Sequence, residues 1–147
     1  MRISQILLTK RVDLVHVSPS TSVGTVIGLM RSEHVGAVLV LDEDQHLLGV
    51  LSERDVVHAF AADPVNLLSR AALDIARTDN PVVALSDTVQ SVMEVMTATR
   101  ARHVPVIQHG RVMGVVSIGD IVKSRLDEKT QENTVLQEIA RAQFFAN

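Results

Sequence analysis

The chain has 147 residues, of which 46% are hydrophobic and 21% charged, so it has the size and balance of one folded domain or two very small ones. A net charge of −3 and an aromatic content of 2% argue against nucleic-acid binding, which needs a basic face and often stacking platforms. The absence of cysteine excludes disulfides, thiolate metal sites and cysteine nucleophiles. No apolar run approaches the about 20 residues of a membrane span and no signal-peptide pattern is present, so we expect a soluble, cytoplasmic protein.

An internal duplication is the most specific feature of the sequence. The segments LLGVLSERDVV (47–57) and VMGVVSIGDIV (112–122) match at an offset of 65 residues, and valine, serine and methionine positions upstream match at an offset of 66. A tandem repeat follows from these matches. We predict a first repeat at 1–63, a linker helix with a second repeat at 64–127, and a helical tail at 128–147.

Both units show the same order of predicted elements. A short apolar strand (14–17 or 82–85) leads to an amphipathic helix, which Ser20 or Ser86, or their neighbours, are placed to cap. Two β-rich runs follow, at 36–41 and 46–51 in one unit and at 103–107 and 111–116 in the other. A second helix then begins at Ser52 or Ser117. The fold class is therefore α/β (α+β), with two β-α-β-β-α repeats that pack together because a lone unit buries little core.

The segments outside the repeats are predicted to be helical. Residues 62–77 are interpreted as a linker helix, and the tail from 123 onward is polar at first and then loosely apolar at Val135, Leu136, Ile139, Ala142 and Phe145. The tail is either a frayed helix end or a surface for a partner. Apolar residues on the second helices add to this surface and predict a two-fold homodimer: Val56, Val57, Phe60, Ile121 and Val122.

The duplicated pattern resembles the CBS-domain pair, the regulatory module named after cystathionine β-synthase. The residues that carry the resemblance are GVLSERD and GVVSIGD, each after two strands, and ARHVPVI at the second-strand position of unit two. The resemblance extends over residues 3–127 and implies a stand-alone pseudo-twofold pair that regulates a partner protein and is not itself an enzyme. One departure is the opening ARTDNPVV of unit two, where many members have a Met-Thr pair.

Two Ser-x-x-Asp motifs are the first candidate site residues: Ser52 with Asp55, and Ser117 with Asp120. Such a motif can be only a helix capping box. The resemblance implies a further role, in which the aspartate accepts hydrogen bonds from ribose hydroxyls and the serine lies beside the ribose or phosphates. An ionised carboxylate suits a diol because it offers two acceptor oxygens to two donors. Arg54, near the start of its helix, opposes the helix dipole unless a phosphate binds there.

A basic cluster precedes the second strand of unit two, at Arg100, Arg102 and His103. The aligned positions of unit one, Val35 and Gly36, are uncharged. The cluster is either a solvated loop or, as the resemblance implies, a set of phosphate ligands in the cleft between the units. A guanidinium can bind phosphate through two parallel hydrogen bonds, and an imidazole adds a proton-dependent donor.

The resemblance implies an adenine nucleotide as ligand: AMP, ADP, ATP, NAD or S-adenosylmethionine. The basic cluster favours a phosphate-bearing ligand, and a pocket without aromatic residues suits AMP or the AMP half of NAD. No metal site is predicted, because the six histidines include no i, i+4 pair on one helix. GVVSIG is not the nucleophile elbow G-x-S-x-G, so an enzyme is the least supported reading. The main alternative is a structural dimerisation module that binds no ligand.

Overall fold

The structure, a computed structural model, describes residues 1–10 and 14–146, with the side chain of Ala146 excepted. The described chain contains six α-helices and five strands, which bear out the predicted mixed α/β class with two repeated units. In chain order they are α1 (Ile3–Thr9), β1 (His16–Val17), α2 (Val23–Glu33), β2 (Ala37–Leu41), β3 (Leu47–Ser52), α3 (Glu53–Ala62), a 3-10 turn (Leu67–Ser69), α4 (Ala72–Ile75), α5 (Val89–Thr99), β4 (His103–Gln108), β5 (Arg111–Ser117) and α6 (Ile118–Ala146).

Each unit has its own small sheet. In unit one, β1 runs parallel to β2 and β2 runs antiparallel to β3, while unit two has the antiparallel pair β4–β5. The strand predicted at 82–85 is reduced to a single parallel bridge between Val83 and Val106. It is this short because the Asp87 carboxylate accepts the Ala84 N–H at 2.8 Å and turns the chain toward α5.

The amphipathic helices are capped two residues later than Ser20 and Ser86. Ser22 Oγ accepts the Thr25 N–H at 3.2 Å, and Thr88 Oγ1 accepts the Ser91 N–H at 3.1 Å. Each cap satisfies one of the free N–H groups in the first turn of its helix. The apolar stripes of the two helices enter the cores of their units, as their spacing predicts.

The two units exchange their N-terminal arms. Helix α1, which was not among the predicted elements, inserts Ile3 and Ile6 into the core of unit two. In the same way, α4 contributes Ala72 to the core of unit one. Matching backbone hydrogen bonds fix the arms, from Ile3 N to Asp87 O at 2.9 Å and from Ala72 N to Thr21 O at 2.7 Å. This exchange gives the pair its pseudo-twofold relation.

The single linker helix predicted over 62–77 is wrong. The chain forms the 3-10 turn and then α4, and the two are separated by extended backbone at Arg70 and Ala71. Tertiary hydrogen bonds override the helical pattern here, because the Arg70 carbonyl accepts the Val23 N–H at 2.9 Å. After α4, Arg77 exchanges both backbone hydrogen bonds with Val50 on β3. A Cβ at neighbouring Gly49 would lie 3.0 Å from the Arg77 carbonyl oxygen, so a side chain there would push the crossing segment away from β3.

The second helices expose fewer apolar residues than predicted. Ile121 is buried in the core of unit two and Val56 packs against the core of unit one, because both point inward from their helices. Val57, Phe60 and Val122 are exposed, as expected. Helix α6 continues without a break from unit two through the tail, whose apolar residues are exposed. Among the described residues, no helix has both the length and the hydrophobicity needed to cross a membrane.

Candidate functional site

A cavity of about 360 Å³ lies between the two units, and we call it the Asp55 cleft. It is bordered by the β3–α3 junction of unit one and by the segment that precedes β4 in unit two. Its lining includes five of the seven predicted site residues, namely Ser52, Arg54, Asp55, Arg102 and His103. The tertiary structure therefore brings together residues that lie about a third of the chain apart in the sequence. The volume falls in the range of about 300–1,000 Å³ that is usual for small-molecule sites.

Ser52 and Asp55 form a capping box at the start of α3. Asp55 Oδ2 accepts hydrogen bonds from the Ser52 N–H and hydroxyl, both at 2.9 Å, while Ser52 Oγ lies 3.3 Å from the Asp55 N. Both of these hydrogen bonds go to Oδ2. Among the described residues no donor contacts Oδ1 of Asp55, so this oxygen is available to a ligand. The capping interpretation is correct, and the geometry leaves room for the second role.

The lining of the Asp55 cleft includes four arginines but only two acidic residues. Arg77 is held in place by Asp79 at 3.0 Å and by the Thr99 carbonyl at 3.3 Å. Arg100 and Arg102 make no side-chain hydrogen bond or ion pair within residues 1–10 and 14–146. The backbone of Arg102 is fixed, since its carbonyl accepts the Ile118 N–H at 2.9 Å. The cleft therefore combines an excess of positive charge with guanidinium groups that are free to bind an anion.

Strand register corrects the alignment of the basic cluster with unit one. His103 pairs with Ser117 and Ala37 pairs with Ser52, so His103 corresponds to Ala37 and Arg102 to Gly36. The sequence alignment had placed Val35 and Gly36 there, one residue too early. The register agrees with the offset of 66 residues found upstream, because the extra residue of unit one lies after this position, in the turn between β2 and β3. The corrected counterparts are also uncharged, so the difference between the units stands.

His103 lies between the two clefts and lines both of them. Its Nε2 would lie 3.2 Å from a Cβ at Gly36, so the missing side chain at that glycine makes space for the imidazole. Burial, followed by the charge of Lys10, lowers the pKa of His103 below its usual value, against the opposing effect of Glu53 and Asp120. The imidazole is therefore held toward its neutral form in the free protein.

A second cavity of about 260 Å³ is bordered by Lys10, by Val115 and Ser117, and by residues 34–37, the segment of unit one that precedes β2. We call it the Asp120 cleft after the aspartate that Lys10 contacts, although Asp120 does not itself line the cavity. Ser117 and Asp120 form the second capping box, with Asp120 Oδ2 accepting the Ser117 N–H at 2.8 Å. The same oxygen is 2.8 Å from Lys10 Nζ. Burial works in the opposite direction, but the hydrogen bonds from Lys10 and Ser117 hold the pKa of Asp120 below its usual value.

Lys10, like Arg77 in the Asp55 cleft, was not among the candidate site residues of the sequence analysis. It directly follows α1 and also donates to the Val115 carbonyl at 2.8 Å. Lys10 and Asp120 are 110 residues apart, so no local pattern could have linked them. The sequence carries no signal for this contact, because only the packing of the units shows that the arm before unit one crosses to unit two.

One further group of side chains is close enough for a cation: Asp42, Asp44 and His46, in the turn between β2 and β3. Asp42 Oδ1 already accepts the backbone N–H groups of Asp44 and His46, at 2.9 and 2.8 Å. These contacts are those of a turn closed by an aspartate side chain. They account for the cluster without an ion, and the expected absence of a metal stays a prediction.

Comparisons with known proteins agree with this architecture. The CBS domain family model matches residues 3–62 and 72–127. A CBS-domain protein from Agrobacterium tumefaciens is 36% identical with a TM-score of 0.82, over 85% of this chain and 99% of that one. A Pyrobaculum aerophilum CBS domain protein complexed with AMP is 28% identical with a TM-score of 0.72, over 82% and 89% of the two chains.

A curated relative gives the same result. A mitochondrial CBS domain-containing protein of Arabidopsis thaliana is 33% identical over 107 residues, or 70% of this chain and 52% of that protein. The chain thus spans about half the length of that relative. With two family matches, the duplicated β-α-β-β-α order and the exchanged arms, the resemblance seen in the sequence is confirmed, and the chain belongs to the CBS-domain family.

Proposed function

We propose that this chain is a regulatory module that binds an adenine nucleotide in the Asp55 cleft and transmits its presence to a partner protein. The observation that carries the proposal is the convergence of Asp55 with Arg102 and His103 across the interface between the units. A ligand held there contacts both units at once, so its binding can change how they sit together. We propose no catalytic role for the chain.

The side chains of the cleft match the chemistry of an adenosine phosphate. Asp55 Oδ1 is available to the ribose diol, and Arg100 and Arg102 are available to a phosphate. The N-terminus of α3, at Ser52 and Arg54, adds the favourable helix dipole for an anion. The excess of arginine over acidic residues favours a ligand with at least two negative charges. S-adenosylmethionine has no phosphate and fits this charge poorly.

Among the adenine nucleotides we propose AMP, with ATP and NAD as the alternatives. The support is the AMP complex of the Pyrobaculum relative, together with the modest volume of the cleft. Both features favour a mononucleotide over a larger ligand. Only the adenosine phosphate portion is needed to engage Asp55 and the arginines.

Calorimetric titration with AMP, ATP, NAD, S-adenosylmethionine and adenosine tests this function. AMP is expected to bind more than tenfold tighter than adenosine, a difference of at least about 1.4 kcal/mol. Binding is also expected to raise the melting temperature, because the ligand stabilises the folded state. No response to any of these compounds would favour the alternative, a structural dimerisation module without a ligand.

We also propose that the chain forms a homodimer through its second helices. Val57 and Phe60 on α3 and Ile118, Val122 and Leu126 on α6 are all exposed large hydrophobic residues. A two-fold contact is the commonest way to cover such residues. The tail residues Val135, Leu136, Ile139, Phe144 and Phe145 are exposed as well and are proposed to extend the interface. The cytoplasmic location stays a prediction.

Sedimentation equilibrium tests the dimer. The chain is expected to sediment at twice its 16.0 kDa mass. Phe60→Glu is expected to weaken the dimer, and truncation of 128–147 is expected to weaken it while AMP binding persists. The matched control is Glu94→Gln, an exposed charge change on α5 outside both clefts. A species of single-chain mass at tens of micromolar protein would contradict the dimer.

A further inference from the structure

The Asp120 cleft contains a cation supplied by the chain itself. Lys10 Nζ donates to Asp120 Oδ2 and to the Val115 carbonyl, both at 2.8 Å. The Lys10 and Asp120 side chains are 35% and 24% exposed, so the pair is partly shielded from water. The Lys10 ammonium is thus bound to Asp120, the residue of unit two that corresponds to Asp55 of unit one.

The carboxylate of Asp55, which corresponds to Asp120, has no cationic partner among the described residues. Asp55 receives hydrogen bonds only from Ser52 within the described part of the chain, and the cleft around it is lined by arginines of which Arg77 is engaged by Asp79. In the Asp120 cleft, by contrast, the positive charge of Lys10 is already neutralised by Asp120. One cleft therefore presents a free carboxylate and free guanidiniums, and the other presents a closed ion pair.

The unequal arms explain this difference. Helix α4 has four residues, and the chain after it pairs through the Arg77 backbone with Val50. Helix α1 has seven residues and ends next to Lys10, whose side chain reaches the carbonyl of Val115, the duplicate of Val50. Val50 therefore pairs with the backbone of the crossing arm, whereas the corresponding Val115 accepts a hydrogen bond from the Lys10 ammonium.

We propose that Lys10 closes the Asp120 cleft to nucleotide, so that each chain binds one ligand, in the Asp55 cleft. This inference rests on the proposed function. Lys10 and Ser117 both donate to Oδ2 of Asp120, so a ribose diol that uses both carboxylate oxygens must compete with a charge-assisted hydrogen bond there, whereas at Asp55 it competes only with Ser52. The Asp120 cleft is thereby at least tenfold weaker for AMP than the Asp55 cleft. Lys10 is the residue that sets the number of ligands bound per chain.

The test combines AMP calorimetry with NMR titration of the Asp120 carboxyl carbon. Wild-type protein is expected to bind one AMP per chain and Lys10→Met two, because methionine keeps the length of the side chain without its charge. Lys10→Arg, which keeps the charge, is expected to bind one. Lys123→Met removes an exposed lysine of α6 that lines neither cleft and is the matched control for charge. In Lys10→Met, the pKa of Asp120 is expected to rise toward its usual value.

The outcomes separate this inference from the proposed function. Two AMP molecules per wild-type chain with similar affinities would overturn the closure by Lys10 and leave the function intact. No binding to wild type with one AMP per chain in Lys10→Met would overturn the Asp55 site and support the closure. No binding to either protein would overturn both. An Asp120 pKa unchanged by Lys10→Met would overturn the closure whatever the calorimetry gives.

Discussion

The Asp55 cleft and the Asp120 cleft are built from duplicated residues, yet they present different chemistry. Both contain a Ser-x-x-Asp capping box at the start of a helix. In the Asp55 cleft the segment before β4 adds Arg100 and Arg102, whereas its counterpart beside the Asp120 cleft has His34 and Gly36. In the Asp120 cleft, the arm adds Lys10 to the aspartate.

This comparison distinguishes residues that cap a helix from residues that decide what a cleft can bind. The capping boxes are local and survive duplication because each helix needs its first turn satisfied. The residues that decide what a cleft can bind come from the other unit or from the crossing arm, and these have diverged. A duplicated motif therefore indicates a duplicated element of structure, but it does not by itself indicate two equal sites.

The arms that cross between the units are expected to have the largest effect, which is on the free energy of unfolding. Ile3→Ala is expected to lower the free energy of unfolding by about 2–5 kcal/mol, because Ile3 is fully buried in the core of unit two. Leu8→Ala, on the same helix but 86% exposed, is the matched control and is expected to change it by less than about 0.5 kcal/mol. Urea unfolding measures both, and equal effects would contradict the arm position.

The unequal roles of the two aspartates come next. Asp55→Ala is expected to weaken AMP binding by about 1.5–3 kcal/mol, more than tenfold, because a charge-assisted hydrogen bond to the ribose is lost. Asp120→Ala removes the same type of cap and is the matched control, with a smaller expected effect on AMP affinity. Calorimetry of both variants gives the comparison. A larger effect from Asp120→Ala would reverse the assignment of the clefts.

The basic segment of unit two can be tested through the phosphate. Arg102→Ala is expected to remove most of the preference for AMP over adenosine, about tenfold or 1.4 kcal/mol, because only AMP offers a phosphate to the guanidinium. Arg31→Ala, an exposed arginine in the last turn of α2, controls for the loss of charge. Adenosine affinity is expected to change little in either variant. An unchanged preference in Arg102→Ala would mean that the cluster is a solvated loop.

The smallest effect concerns His103, which lies between the clefts. Its pKa is lower in the folded state than in the unfolded chain, so the folded state binds fewer protons as the pH falls through about 6.5. The free energy of unfolding is therefore expected to decrease from pH 7.5 to pH 5.5. His103→Gln is expected to make this decrease smaller, as measured by thermal unfolding at each pH. An equal decrease in the variant would exclude His103 as its source.

The sequence by itself determined the repeated units, the class of fold and most of the residues around the Asp55 cleft. These features follow from short-range patterns, because helix periodicity, strand runs and the Ser-x-x-Asp caps are all set within a few residues. The duplication extended that local information by requiring both units to share one order of elements. Even here, the counterparts of Arg102 and His103 were placed one residue too early, although the upstream offset of 66 residues gives Gly36 and Ala37, as the strand register does.

The tertiary structure alone decided where the arms go and what they do. The apolar spacing at 62–77 predicts one helix, but the hydrogen bonds from Val23 to Arg70 and between Val50 and Arg77 form only when the units pack, and the chain there is not one helix. The same packing brings Lys10 to Asp120 across 110 residues of sequence. Such contacts depend on which surfaces meet, and propensity or spacing within one segment carries no information about that choice.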